Sequence, residues 1–117
     1  MVKIKRAFEK KDPEDGYRVL VDRAWPRGIP TGPGAFDSWA QELAPSAGLR
    51  ELYHRDPKKW PEFRERLREE LRASPTRKTL EGLAELAKTK TVTLLHGSRE
   101  LERNNAAVVK EIIESIA

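Results

Sequence analysis

Cysteine is absent from the 117 residues, which excludes disulfides, thiolate chemistry and cysteine-based zinc sites. Aromatic residues make up only 7% of the chain. No apolar run approaches the ~18 residues that a bilayer-spanning helix needs, so no membrane partner is expected. The start, Met1-Val-Lys-Ile-Lys-Arg6, has charges with no long apolar stretch behind them. That pattern argues against a signal peptide and for a cytoplasmic protein. Standard catalytic signatures are also missing: no Walker-type phosphate loop, no His-Glu-x-x-His, no Gly-x-Ser-x-Gly and no dinucleotide fingerprint. With two histidines there is little material for a metal site, and none is expected. The residues name no cofactor and leave the oligomeric state open.

Charge is abundant instead. Charged residues reach 36% and hydrophobic ones 38%, a balance that fits one globular domain over residues 1–117. Lys and Arg total 23 against 19 Asp and Glu, a net charge of +4. The signs are interleaved, as in Glu62-Phe-Arg-Glu-Arg-Leu-Arg-Glu-Glu70, which reads as a solvated helix face with ion pairs one turn apart. A nucleic-acid arm needs unopposed positive charge, which this run does not offer. Many Glu, Arg and Lys with no Cys resemble a thermophile's composition.

The apolar pattern gives three strands. Val2–Phe8 alternates apolar and charged residues, the period of a strand with one buried face. After turn formers at Asp12-Pro13 and Asp15-Gly16, Tyr17–Asp22 reads as a strand covered on both faces. Thr91–Leu95 is the third. Between the second and third strands the signals are helical. Asp37 is expected to cap a short helix carrying Trp39 and Leu43, which Pro45 ends. Ser46 starts another with Leu49, Leu52 and Tyr53. Asp56-Pro57 starts a third, whose stripe is Trp60, Phe63, Leu67 and Leu71, and Ser74-Pro75 opens a fourth. Asn104 or Asn105 caps a last helix bearing Val109, Ile112, Ile113 and Ile116.

These elements predict a small α/β domain of about three strands, parallel or mixed, covered by about five helices. The long helical connection before the third strand permits a parallel crossover. The first connection spans only about eight residues, and by length alone it favours a hairpin.

Ligands of open α/β sheets sit beyond the carboxyl ends of the strands. Two loops leave such ends: the Pro- and Gly-rich stretch from Asp22 to Gly34, and His96-Gly-Ser-Arg-Glu100. If their strands are parallel neighbours, one crevice gathers Arg23, Arg27, Arg99, Ser98 and the helix start at Asn104 and Asn105. Guanidinium forks and free helix N–H groups suit a carboxylate or phosphate. In this reading Arg23, Arg27 and Arg99 hold an anion, Trp25 lines the pocket, and Asp22 and His96 form a candidate acid–base pair. The expected ligand is a phosphorylated or otherwise anionic small molecule, a nucleotide or a nucleic-acid end. Simpler roles stand beside each of these: Asp22 and Arg23 as an internal salt bridge, Trp25 as a loop anchor, His96 as a packed histidine and the asparagines as a cap. The alternative function is a non-catalytic module for nucleic acid or a protein partner, motivated by Lys3, Lys5, Arg6, Lys10 and Lys11. A third option is that the arginines and Trp25 only lock a long loop onto the core.

The run Glu14-Asp-Gly-Tyr-Arg-Val-Leu-Val-Asp-Arg-Ala-Trp-Pro-Arg-Gly28 resembles the signature of the YeaO-like branch of the domain-of-unknown-function 488 family. Trp39 with Glu42-Leu-Ala-Pro-Ser46, His54-x-Asp-Pro-x-x-Trp60 and Val92-Thr-Leu-Leu-His-Gly-Ser-Arg99 with Asn104-Asn-Ala106 extend the likeness along nearly the whole chain. The resemblance implies a Rossmann-like α/β domain, which tilts the first strand toward parallel, but it names no reaction. The family motif falls on Asp22, Arg23, Trp25, Pro26, Arg27, Gly28, Arg99 and Asn104. Two positions depart from it. A Tyr, Ala and Ala-Arg pattern is frequent where this chain has His96-Gly-Ser-Arg99, and a His often stands in place of Asn105.

Overall fold

The computed structural model describes residues 1–30 and 34–116; the predicted loop's Gly32 and Pro33 lie outside these. Four strands, β1 Val2–Arg6, β2 Tyr17–Leu20, β3 Ser38–Trp39 and β4 Val92–His96, form one sheet in the order β1-β4-β2-β3. All three pairings are parallel. Four α-helices are described: α1 Ala47–Arg55, α2 Trp60–Glu70, α3 Ser74–Ala87 and α4 Asn105–Ile116. The α/β class is as the sequence predicts, with one strand more and one helix fewer.

The extra strand replaces the expected helix at Asp37. Its carboxylate accepts from the Arg18 N–H at 2.7 Å rather than capping a helix, and its own N–H donates to Arg18 O. The backbone thereby continues the ladder of β2, and Ser38–Trp39 pair with Val19 and Leu20. A short 3₁₀ turn, Gln41–Leu43, is all that remains of the predicted helix. Tertiary pairing has overridden a weak local signal. Of the other start signals, Ser74 is the first residue of α3 and makes no capping bond, but the rest cap as expected. Ser46 accepts from Leu49 N–H, and Asn104 Oδ1 accepts from Ala107 N–H at the head of α4. Asp56 caps the 3₁₀ turn Pro57–Lys59 that runs into α2.

The hairpin favoured by length is overturned: β1 is parallel to its neighbour β4. The reason is that β1 and β2 are not neighbours, because β4 lies between them. The chain must return past a five-residue strand, about 17 Å, and step sideways two strand spacings, about 10 Å. Residues 7–16 can span roughly 33 Å when extended, so a crossover without a helix is long enough.

Alternation along the strands sorts the two faces. Val2, Ile4, Tyr17, Val19, Val92 and Leu94 belong to the main core with Phe63, Leu67, Leu71, Leu80 and Ile113 from the helices. Each fully buried side chain of this kind is worth about 1.5–3 kcal/mol. On the opposite face Ala7, Leu20 and Leu95 are covered by Trp25, Ile29 and Phe36, all from loops. Further toward the amino end that face turns polar: Lys5 and the nearly buried Arg18 both bind the Asp15 carboxylate, and Thr93 Oγ1 donates to Asp15 O at 2.6 Å.

Candidate functional site

The central strands β2 and β4 are parallel neighbours, so the chain leaves both at the same end of the sheet. Val21 N–H still donates to Leu95 O. Asp22 follows, and its carboxylate joins the two loops: Oδ2 accepts from Gly97 N–H at 2.8 Å and Oδ1 from Asn105 Nδ2 at 3.0 Å. Asn105 also donates to Val21 O at 3.1 Å. Gly97 leaves room for this contact: a Cβ there would lie 3.2 Å from Asp22 Oδ2, so the carboxylate would have to shift to admit it. The two loops and the start of α4 therefore meet, and Asp22 is their pin.

His96 is the last residue of β4 rather than the first of a loop, as expected from the sequence. Alternation puts it on the helix-covered face with Val92 and Leu94, and it is 1% exposed. Ser98 N–H donates to Nδ1 at 3.1 Å, so the neutral ring carries its proton on Nε2. Asn104 Nδ2 lies 3.4 Å from Nε2 and donates to Glu100 O at 2.8 Å. A doubly protonated ring would lose the Nδ1 acceptor and set an Nδ1–H against the Ser98 N–H. Among the described residues no hydrogen bond joins Asp22 to His96. The sequence-predicted acid–base pair is thus two separate networks, one holding the carboxylate and one the imidazole.

Burial pushes the pKa of His96 below its ordinary 6.5, and Arg6 adds to this, while Asp22 and Glu9 pull the other way. The folded protein therefore binds this proton less well than the unfolded chain. Stability is full above about pH 6.5 and declines as the pH falls through that value and the unfolded state protonates. Tm is expected to drop between about pH 7.5 and 5.5, with a smaller drop in His96→Asn. Thermal melts across that range check it, and an unchanged wild-type Tm contradicts it.

The three predicted anion-holding arginines are all exposed, and none pairs with a carboxylate among the described residues. Arg23 reaches Pro45 O at 3.3 Å through Nη2, and Gln41 Nε2 donates to Arg23 O at 2.9 Å. Trp25 is a half-buried loop anchor: its Nε1–H donates to Ile29 O at 2.8 Å, and its ring meets Phe36 edge-on. Ser98 Oγ accepts from Glu100 N–H, and Ser98 O from Arg6 Nε at 2.9 Å. Asn104, only 2% exposed, is the helix cap.

Sequence reasoning assigned neither Arg6 nor Trp39 to this site. Arg6 ends β1 beside β4 and ties the Ser98 loop down. Trp39 ends β3, with its Nε1–H donating to Asp22 O at 2.7 Å and its ring 5.4 Å from Trp25. Neither contact has a local signal, because both depend on strand order. A separate groove of about 690 Å³, lined by Met1, Lys3, Tyr17, Asp37 and Lys90 among others, opens at the opposite, amino end of the sheet.

Comparison with known proteins agrees with the resemblance. An uncharacterised protein of Mycobacterium tuberculosis is 39% identical over 112 residues, covering 96% of this chain and 92% of that protein. The uncharacterised protein YeaO of Escherichia coli is 36% identical over 117 residues, covering 98% of each. No solved structure matches. The family DUF488-N3i, described as the inactive DUF488-N3 subclade, matches over residues 1–116, and the chain belongs to it.

Proposed function

We propose that the chain is a cytoplasmic binding domain that holds a phosphate-bearing or otherwise anionic ligand at the carboxyl ends of β2 and β4, without converting it. The observation that carries this reading is the Asp22–Gly97 contact, which brings together two loops bearing Arg23, Arg27 and Arg99, none with a carboxylate partner among the described residues. Guanidinium groups with no carboxylate partner among the described residues, at one end of a parallel sheet, offer forked donors to an anion. The location is the Rossmann-like one, outside the strand carboxyl ends.

Binding is favoured over turnover by the state of the two candidate catalytic groups. The Asp22 carboxylate already accepts two hydrogen bonds, and the Nδ1 lone pair of His96 is taken by Ser98 N–H. The family's description as inactive points the same way.

Calorimetric titration with inorganic phosphate and ribose 5-phosphate tests the reading. Arg27→Ala and Arg99→Ala are each expected to weaken binding roughly tenfold, the size of one charge-assisted hydrogen bond. Their Tm is expected to stay within about 2 °C of wild type, since neither exposed side chain supports the core. Equal affinity in the double variant overturns the proposal. A large loss of Tm in Arg27→Ala would make that arginine a loop lock instead.

A further inference from the structure

The edge strand β3 ends on a tryptophan that the fold holds at the surface. Trp39 is 38% exposed, one of few large apolar side chains to reach solvent. Its ring is nevertheless fixed. The indole N–H donates to Asp22 O at 2.7 Å, and the ring meets Trp25 edge-on at an interplanar angle of 75°. Trp25 is in turn braced by Phe36 at 4.9 Å and by its own bond to Ile29 O. The pin on Trp39 is the carbonyl of the residue immediately before Arg23, and Gln41, two residues after Trp39, donates to Arg23 O. The indole and the Gln41 side chain thus hold the backbone on either side of the Arg23 Cα, at the end of the sheet where the loop arginines stand, while the Arg23 guanidinium itself reaches Pro45 O.

We infer that Trp39 is a stacking shelf for a planar ring, so that the ligand of the proposed site belongs to the nucleotide class, with its phosphate toward the loop arginines. This rests on the anion-binding reading above and narrows it. A ring already held in place loses little rotamer freedom when a ligand stacks on it, so most of the contact free energy appears as affinity. Stacking tolerates any base, because every base presents a π-face, and no hydrogen-bond readout of base identity is implied. Tryptophan is also the aromatic side chain with the largest face to offer.

The test separates the ring from the phosphate. Inorganic phosphate, ribose 5-phosphate and the four ribonucleoside 5′-monophosphates are titrated by calorimetry into wild type, Trp39→Leu and Trp39→Phe. In wild type at least one nucleoside monophosphate is expected to bind roughly tenfold or more tighter than ribose 5-phosphate. Trp39→Leu should erase that difference and leave the ribose 5-phosphate affinity in place. Trp39→Phe, which keeps an aromatic face but lacks the N–H bond to Asp22 O, should retain much of it. Indole N–H resonances should shift for Trp39 on adding the nucleotide and not on adding phosphate. Equal binding of nucleotides and ribose 5-phosphate in wild type overturns the shelf and leaves the anion site standing. Loss of the difference in Trp39→Phe to the same extent as in Trp39→Leu also overturns it. Failure of every phosphate compound to bind overturns the anion site itself.

Discussion

Replacing Asp15 by Ala is expected to cost roughly 3–5 kcal/mol of stability, the price of leaving buried charge without its partner. For a domain of this size that is a drop in Tm of about 10–20 °C. Asp15 is 1% exposed. Its carboxylate accepts from Lys5 Nζ at 2.9 and 3.0 Å, from the Arg18 guanidinium, and from Asp12 N–H at 3.1 Å. The last bond closes a capping box around the 3₁₀ turn Pro13–Asp15, which covers the polar part of the sheet's second face. Without the carboxylate, Lys5 of β1 and Arg18 of β2 face each other across β4 with nothing negative between them. Arg18 Nε is already buried without a partner among the described residues. The triple change Lys5→Met, Asp15→Leu and Arg18→Met should be less destabilising than Asp15→Ala alone, because it removes the charges together. Chemical denaturation of the two variants checks this, and a loss under about 1 kcal/mol in Asp15→Ala contradicts it. The pH dependence has a fixed sign. Burial by itself raises the pKa of Asp15, but the bonds from Lys5, Asp12 N–H and Arg18 outweigh it and hold the carboxyl below its ordinary 3.8. The contribution is therefore present above about pH 4 and lost as the pH falls further, through the folded-state value. That acid limb should be missing from Asp15→Ala.

The neighbouring Gly16→Ala is the second severe change. Gly16 has φ +64° and ψ −128°, a region that residues with a Cβ rarely enter and that costs about 1–3 kcal/mol. A methyl there would also stand 2.2 Å from Thr91 O and 3.0 Å from Thr91 C. Both are backbone atoms that cannot swing aside, and Thr91 O is the acceptor for Tyr17 N–H at 2.9 Å, the bond that starts β2 against β4. The expected loss is roughly 3 kcal/mol or more. Gly82, in α3, has open space around it and accepts the same methyl without strain. Melting Gly16→Ala beside Gly82→Ala separates the position from the substitution, and similar Tm values in the two contradict the argument.

Much of the fold is legible in the residues because it rests on local chemistry. The alternation from Val2 and the branched run Tyr17–Val21 mark strands by their period alone. The stripe Trp60, Phe63, Leu67 and Leu71 can be buried only by a helix. Ser46, Asp56 and Asn104 cap because a side-chain oxygen reaches a free N–H nearby. The interleaved run at Glu62 forms an expected pair one turn apart, Arg66 with Glu62, whereas Arg64 with Glu111 joins α2 to α4 and has no local signal. Ser38–Trp39 is not legible, since two residues carry no period and become a strand only because β2 offers an open edge. The direction of β1 is not legible either. Connection length limits only strands that are neighbours, and whether they are is decided by where β4 inserts.

The candidate site divides along the same line. From the chain alone come the chemistry of its parts, namely arginines on two loops, a carboxylate and an imidazole at strand ends and asparagines before a helix, and the α/β class that gives those ends a meaning. Only the folded molecule decides what each group touches. It commits the Asp22 carboxylate to Gly97 N–H and Asn105, buries His96 on the far side of the alternation, and brings Trp39 to the same peptide as Arg23. Period and caps are set by near neighbours and so are written locally, whereas these contacts join residues some 17 to 83 positions apart and follow from the order β1-β4-β2-β3.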